Sequence, residues 1–150
     1  MPAVAFHFNA SDKQAYAVRL LRKAFTRGAR THVLLDREMA TRLEVDLWIR
    51  VAGDFLPHCL DDSPAPVLRR SPIVLGPSVM QVQPEAQVLV NLSEMLPDSG
   101  LIGRYQRIIE VVSTSPRDRE LARQRWRWYR ESGMEPERHD LGASEGSTHQ

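Results

Sequence analysis

THVLLD, residues 31–36, sets apolar side chains on successive positions between two polar ends. A strand with one wet face alternates. A run that does not alternate suits a strand covered on both faces, as in a parallel sheet with helices above and below. The flanks agree. Upstream, Ser11 or Asp12 can cap a helix that runs to Arg27, with Ala15, Val18, Leu21 and Phe25 near the helical period and Gly28 to end it. Downstream, REMATRLEVDLWIR, residues 37–50, reads as a second helix. Before the first helix, AVAFHF, residues 3–8, is a strand candidate with aromatics on alternate positions.

Further along, FLPHCL at 55–60 is broken by Pro57, and DDSPAPVLRRSP at 61–72 reads as a surface loop. IVLG at 73–76 and QVLVNLS at 87–93 read as strands, with SVMQVQP at 78–84 a connecting strand or irregular edge. GLIGRYQRIIEVVS, residues 100–113, reads as a third helix with Tyr105, Ile108, Ile109 and Val112 as its core stripe. A last helix follows, with Ser115 as N-cap, Pro116 and Asp118 in its first turn and Gly133 past its end. This order predicts an α/β domain: a three-layer α/β/α sandwich on a mainly parallel sheet, Rossmann-like in outline. One domain is expected over residues 1–135. The polar stretch 136–150 is expected to be a disordered tail.

A nucleotide-binding role does not fit the local chemistry. The first strand is followed by NASDKQA, without the glycine that brings backbone close to phosphate, and no GxxxxGK[ST] loop occurs. GLIG at 100–103 is a flexible helix start. No cofactor is expected. The five histidines (His7, His32, His58, His139, His149) show no helical metal-ligand spacing, and Cys59 beside His58 lacks further ligands or a visible activating base. Asp61 and Asp62 fall in the Pro-rich loop. Neither an enzyme nor a metal site is expected. The lone cysteine forbids an intrachain disulfide, no stretch reaches membrane-spanning length, and MPAVAFHFN is unlike a signal peptide. The expectation is a soluble cytoplasmic protein with no membrane partner.

Formal net charge is only +1, with 18 arginines against 2 lysines. The positive charge is local: residues 117–130 hold six arginines and two carboxylates. In RELARQRWRWYRESGM, residues 119–134, a helical projection puts Leu121, Ala122, Trp128 and Tyr129 on one side and Arg119, Arg123, Trp126, Arg127 and Arg130 on the other. An indole between guanidiniums on an outward stripe suits a partner that is both acidic and partly apolar. LEVDLWIRVAGDFLPHCL, residues 43–60, crowds Leu43, Leu47, Trp48 and Val51 on a short helix and Phe55 and Leu56 on the loop after it. Such apolar excess at a helix–loop edge suggests a protein interface.

These stretches carry a resemblance. An early F-x-F strand, DLW…FLPH at 46–58, VLVNL at 88–92 and LARQRWRWYRESGM at 121–134 together resemble the chi subunits of bacterial DNA polymerase III, over the first strand to about residue 134. The resemblance implies a non-catalytic adaptor of the clamp loader. Such an adaptor binds the acidic C-terminal tail of single-stranded-DNA-binding protein at one site and the psi subunit at another. It implies tail-binding roles for Val112, Arg119, Arg123, Trp126, Arg127 and, at the pocket edge, Met134, and psi-facing roles for Trp48 and Phe55. In one family member the psi-facing surface also serves a helicase, so psi and the helicase would exclude each other there. Arg119 and Arg127 stand where relatives can carry Lys, Trp126 where Tyr occurs, and Met134 where a larger aromatic occurs. The alternative from the residues alone is direct single-stranded nucleic-acid binding by the Arg/Trp helix.

Overall fold

The computed structural model describes residues 1–50 and 56–142. The expected architecture is present. Seven strands form one parallel sheet: β1 Ala3–Ala10, β2 Thr31–Leu34, β3 His58–Leu60, β4 Ile73–Gly76, β5 Val88–Asn91, β6 Arg107–Ser113 and β7 Glu137–Asp140, in the order β3-β4-β2-β5-β6-β1-β7. The helices are α1 Lys13–Thr26, α2 Arg37–Arg50, α3 Ala65–Arg70 and α4 Pro116–Glu131. On one face, Ala17, Val18 and Leu21 of α1 and Leu43 and Leu47 of α2 pack against Val33, Leu75, Val90, Ile109 and Val111. On the other, Ala122 and Tyr129 of α4 pack against Phe6, Leu89, Ile108 and Val112. Successive residues of THVL and VLVN thus go to opposite, equally covered faces. Asp12 caps α1 through its side chain, which accepts from the Ala15 amide at 3.0 Å. Gly28 at φ 76° and Gly133 at φ 89° close α1 and α4 in the left-handed region that other residues avoid.

The main correction concerns residues 100–113. They contain one short 3₁₀ turn, Ile102–Arg104, and then strand β6. Ile108 and Val112 face α4 while Ile109 and Val111 face α1, so both faces of this β-branched run are buried. Val112 is therefore a strand residue. The expected loop at 61–72 contains α3, and Pro64 and Pro66 stand at its start, where a missing N–H costs nothing. The polar tail also departs from expectation, because Glu137–Asp140 pair with β1 as β7. Its hold is the backbone ladder plus the Asn9–Asp140 hydrogen bond at 2.9 Å, which needs no apolar sequence. Residues 143–150, including His149, lie outside the described residues.

His32 on β2 is 2% exposed and its Nδ1 meets the Tyr105 hydroxyl at 2.9 Å. Burial lowers its pKa from the ordinary 6.5 to about 4. The unfolded chain takes up a proton near 6.5 that the folded chain refuses until about 4. Stability from neutral His32 is thus complete above that window and is lost as pH falls through it, to a limit of about 3 kcal/mol. Thermal melts of wild type and His32→Gln across the window are expected to show a shallower acid loss in the variant. Parallel slopes would contradict this assignment.

Candidate functional site

Helix α4 carries two stripes one residue apart. Asp118, Ala122, Arg125 and Tyr129 point inward and are buried. Arg119, Arg123, Trp126 and Arg130, each one residue further on, face a cleft between α4 and the β7 end of the sheet. The inward stripe holds the helix by polar as well as apolar contacts. Glu110, at the centre of β6 and 0% exposed, accepts from Arg125 Nε at 3.0 Å and from the Tyr129 hydroxyl at 2.8 Å, and Asn91 Nδ2 donates to it at 2.9 Å. Arg125 also donates to the Glu94 carbonyl at 2.9 Å. Complete burial pushes the Glu110 carboxyl above the usual glutamate range, and the Arg125 guanidinium, Tyr129 and Asn91 act against that push. At the start of α4, Asp118 accepts from Lys13 Nζ at 3.1 Å and from the Ser113 amide at 2.8 Å. Burial would raise Asp118, but the Ser113 amide and Lys13 outweigh it and hold the carboxyl below its ordinary value. Ser115 occupies the N-cap position without a side-chain capping bond.

The cleft encloses about 430 Å³. Its floor is apolar: Phe6 and Phe8 from β1, Val112 from β6, Ala122 and Trp126 from α4. The Trp126 ring is half-buried and stands edge-on to Phe6, centroids 5.2 Å apart. Arg119, Arg123 and Arg130 line it from α4 and Arg138 from β7. The Arg138 guanidinium lies 5.1 Å from the Phe8 ring centre, a cation–π arrangement that positions it. Arg123 meets Glu120 at 3.1 Å, but both side chains are more than half exposed, so that pair is weak and exchangeable. Among the described residues, no carboxylate pairs with Arg119 or Arg130.

Four of the residues that the resemblance assigns to one site meet here: Val112, Arg119, Arg123 and Trp126. Arg127 is exposed and outside the cleft lining. Met134 is 8% exposed within the α4-side core, its amide bonded to the Tyr129 carbonyl at 3.0 Å, so it ends the helix instead of lining the cleft. Phe6, Phe8 and Arg138 join the lining from outside the residues expected there, and Arg130 joins it from the outward stripe. The F-x-F spacing was the available signal for the first two, since alternate residues share a strand face. Arg138 had none. Trp48 lies on α2 on the opposite side of the sheet, 60% exposed beside the 49% exposed Val45, with its ring edge-on to His58 at 5.4 Å. Phe55 lies outside the described residues. Cys59 is buried toward α4, whereas the His58 ring turns to the Leu56 carbonyl at 2.8 Å, and Asp61 pairs with Arg37 at 2.8 Å.

At the level of fold, the chain resembles the solved C-terminal domain of the DEAD-box protein Dbp5, with TM-score 0.64 over 95% of this chain and 91% of that one, at 15% sequence identity. In sequence, it is 30% identical over 132 residues to DNA polymerase III subunit chi of Pseudomonas aeruginosa, covering 87% of this chain and 88% of that protein. The profile of the family described as DNA polymerase III chi subunit, HolC, matches residues 1–137. No helix of the described residues is long and apolar enough to cross a membrane. The chain belongs to the DNA polymerase III chi subunit family, and its place is that of an accessory subunit in DNA replication.

Proposed function

We propose that the α4 cleft captures the acidic C-terminal tail of single-stranded-DNA-binding protein and that the exposed α2 face around Trp48 docks the psi subunit, linking that protein to the clamp loader. The observation that supports the first half is the pairing of an apolar floor with several guanidiniums. As the family resemblance implies it, the tail ends in a Phe and a free carboxylate behind acidic residues. The ring needs an apolar slot, which Phe6, Phe8 and Trp126 supply. The carboxylate needs a fork of donors, which a guanidinium offers bidentately, and the remaining arginines suit the acidic run. Capture of a chain-end carboxylate is a recurrent recognition mode. An open site of this kind corresponds to micromolar affinity, roughly −8 kcal/mol. The second half is supported by Trp48, which leaves most of a large aromatic surface in water next to Val45.

Titration of the tail peptide and of psi into wild type and Trp48→Ala tests both halves together. The expected outcome is unchanged peptide affinity with psi binding weakened by about 2 kcal/mol or more, the loss typical of a central aromatic contact. Retained psi affinity would remove Trp48 from that interface. A joint fall of both affinities and of the melting temperature would make Trp48 a structural residue.

A further inference from the structure

We propose that the basic face of α1 is a second, separate anion site that binds the phosphate backbone of single-stranded DNA. Helix α1 and the residue after it carry Lys13, Arg19, Arg22, Lys23 and Arg27, and no Asp or Glu lies within the helix. The neighbouring α2, of equal length, mixes Glu38, Glu44 and Asp46 with its arginines. A genome-wide preference for arginine would raise cations in both helices; it would not clear acids from one. The helix dipole favours cations in the last turn and at the cap, which accounts for Lys23 and for Arg27 just past the helix end, but not for Arg19, a full turn before Lys23.

Arg19, Arg22, Lys23, Thr26 and Arg27 line an open groove of about 450 Å³. Among the described residues, no carboxylate pairs with Arg19, Lys23 or Arg27. Spacing of four residues aligns these three along about 12 Å of helix. Arg107 begins β6 on the same side of the sheet, and both it and Lys23 act on the His7 imidazole beneath the helix. At the other end of the helix Lys13 is held by Asp118 at 3.1 Å, so the exposed cations of this face are those of its C-terminal half.

The lining has no aromatic or aliphatic side chain, so it offers nothing to a peptide end that anchors through a ring. A flexible, uniformly charged chain asks only for a row of cations. In a replication accessory subunit, single-stranded DNA is the polyanion of that description. The site lies on the face opposite the α4 cleft, so both can be filled at once. This inference does not depend on tail binding.

The test is fluorescence anisotropy of a labelled oligothymidine against the full chain over a salt series, with wild type, Arg19→Gln/Lys23→Gln/Arg27→Gln, and Arg119→Gln/Arg123→Gln. Wild type is expected to bind at low salt. The α1 variant is expected to lose about tenfold or more and to reduce the salt slope by about 2, since each phosphate contact on a single strand contributes about 0.7. The α4 variant is expected to keep wild-type affinity. Should the triple variant melt early, Arg27→Glu, beyond the last helical turn, is expected to show the same direction at several-fold. No binding by wild type, or a loss confined to the α4 variant, overturns the proposal. So does polyglutamate of equal charge binding as tightly as the oligonucleotide, which would give the face to an acidic protein segment.

Discussion

Arg125→Ala is expected to destabilise the protein by about 3–5 kcal/mol, the cost of breaking a buried ion pair by removing one partner. Arg125 is 3% exposed and Glu110 0% exposed, so neither can recover its interaction from water. Truncation leaves the Glu110 carboxyl with only Asn91 and Tyr129, and it frees the Glu94 carbonyl. For a chain of this length the melting temperature should fall by about 10 °C. The deficit should also depend on pH. Without the guanidinium, burial alone drives the carboxyl further up, and a group with a raised folded pKa loses stability as pH rises through that value. The deficit is therefore largest at high pH and shrinks on acidification. Arg125→Met/Glu110→Met should recover most of the loss, because a pair replaced on both sides leaves no lone charge. Denaturant melts that place Arg125→Ala within 1 kcal/mol of wild type would mean that the network does not hold α4.

Arg123→Ala is expected to weaken binding of the single-stranded-DNA-binding protein tail by about tenfold or more, since a hydrogen bond to a charged group is worth roughly 1.5–3 kcal/mol. The side chain is exposed and its internal partner, Glu120, is a surface carboxylate, so the variant should melt like wild type. That separates it from Arg125, two positions on and of opposite character. Arg138→Ala should act in the same direction, because its guanidinium reaches the same cleft from β7. Calorimetry that returns wild-type affinity for Arg123→Ala would remove the α4 stripe from the site.

The contrast between those two arginines marks what the sequence discloses. The outward stripe of α4 was legible because Trp126 among arginines is anomalous on either face of a helix. Arg125 was not, because one more arginine in an arginine-rich helix reads as solvated; its partner Glu110 sat inside a segment read as helical. Residues 107–113 misled for a physical reason. A strand covered on both faces has no alternation, and Ile108, Ile109 and Val112 fall at helical spacing as well. THVLLD has the same ambiguity, but six residues between two clear helices leave no room for a third. The cleft was half legible. Its α4 side follows from helical geometry, whereas Phe6, Phe8 and Arg138 join it only through strand order, which places β1 between β6 and β7. Strand β7 was hidden because a polar edge strand is held by backbone pairing and leaves no hydrophobic pattern.

The most direct test of the α4 cleft as a receptor for a negatively charged chain end is calorimetric titration with the C-terminal peptide of single-stranded-DNA-binding protein, intact and without its last residue. The intact peptide should bind in the micromolar range and the shortened one about tenfold or more weaker, because the ring leaves its slot and the carboxylate moves off its guanidinium. Equal affinity for the two peptides, or no binding of the intact one, would contradict it.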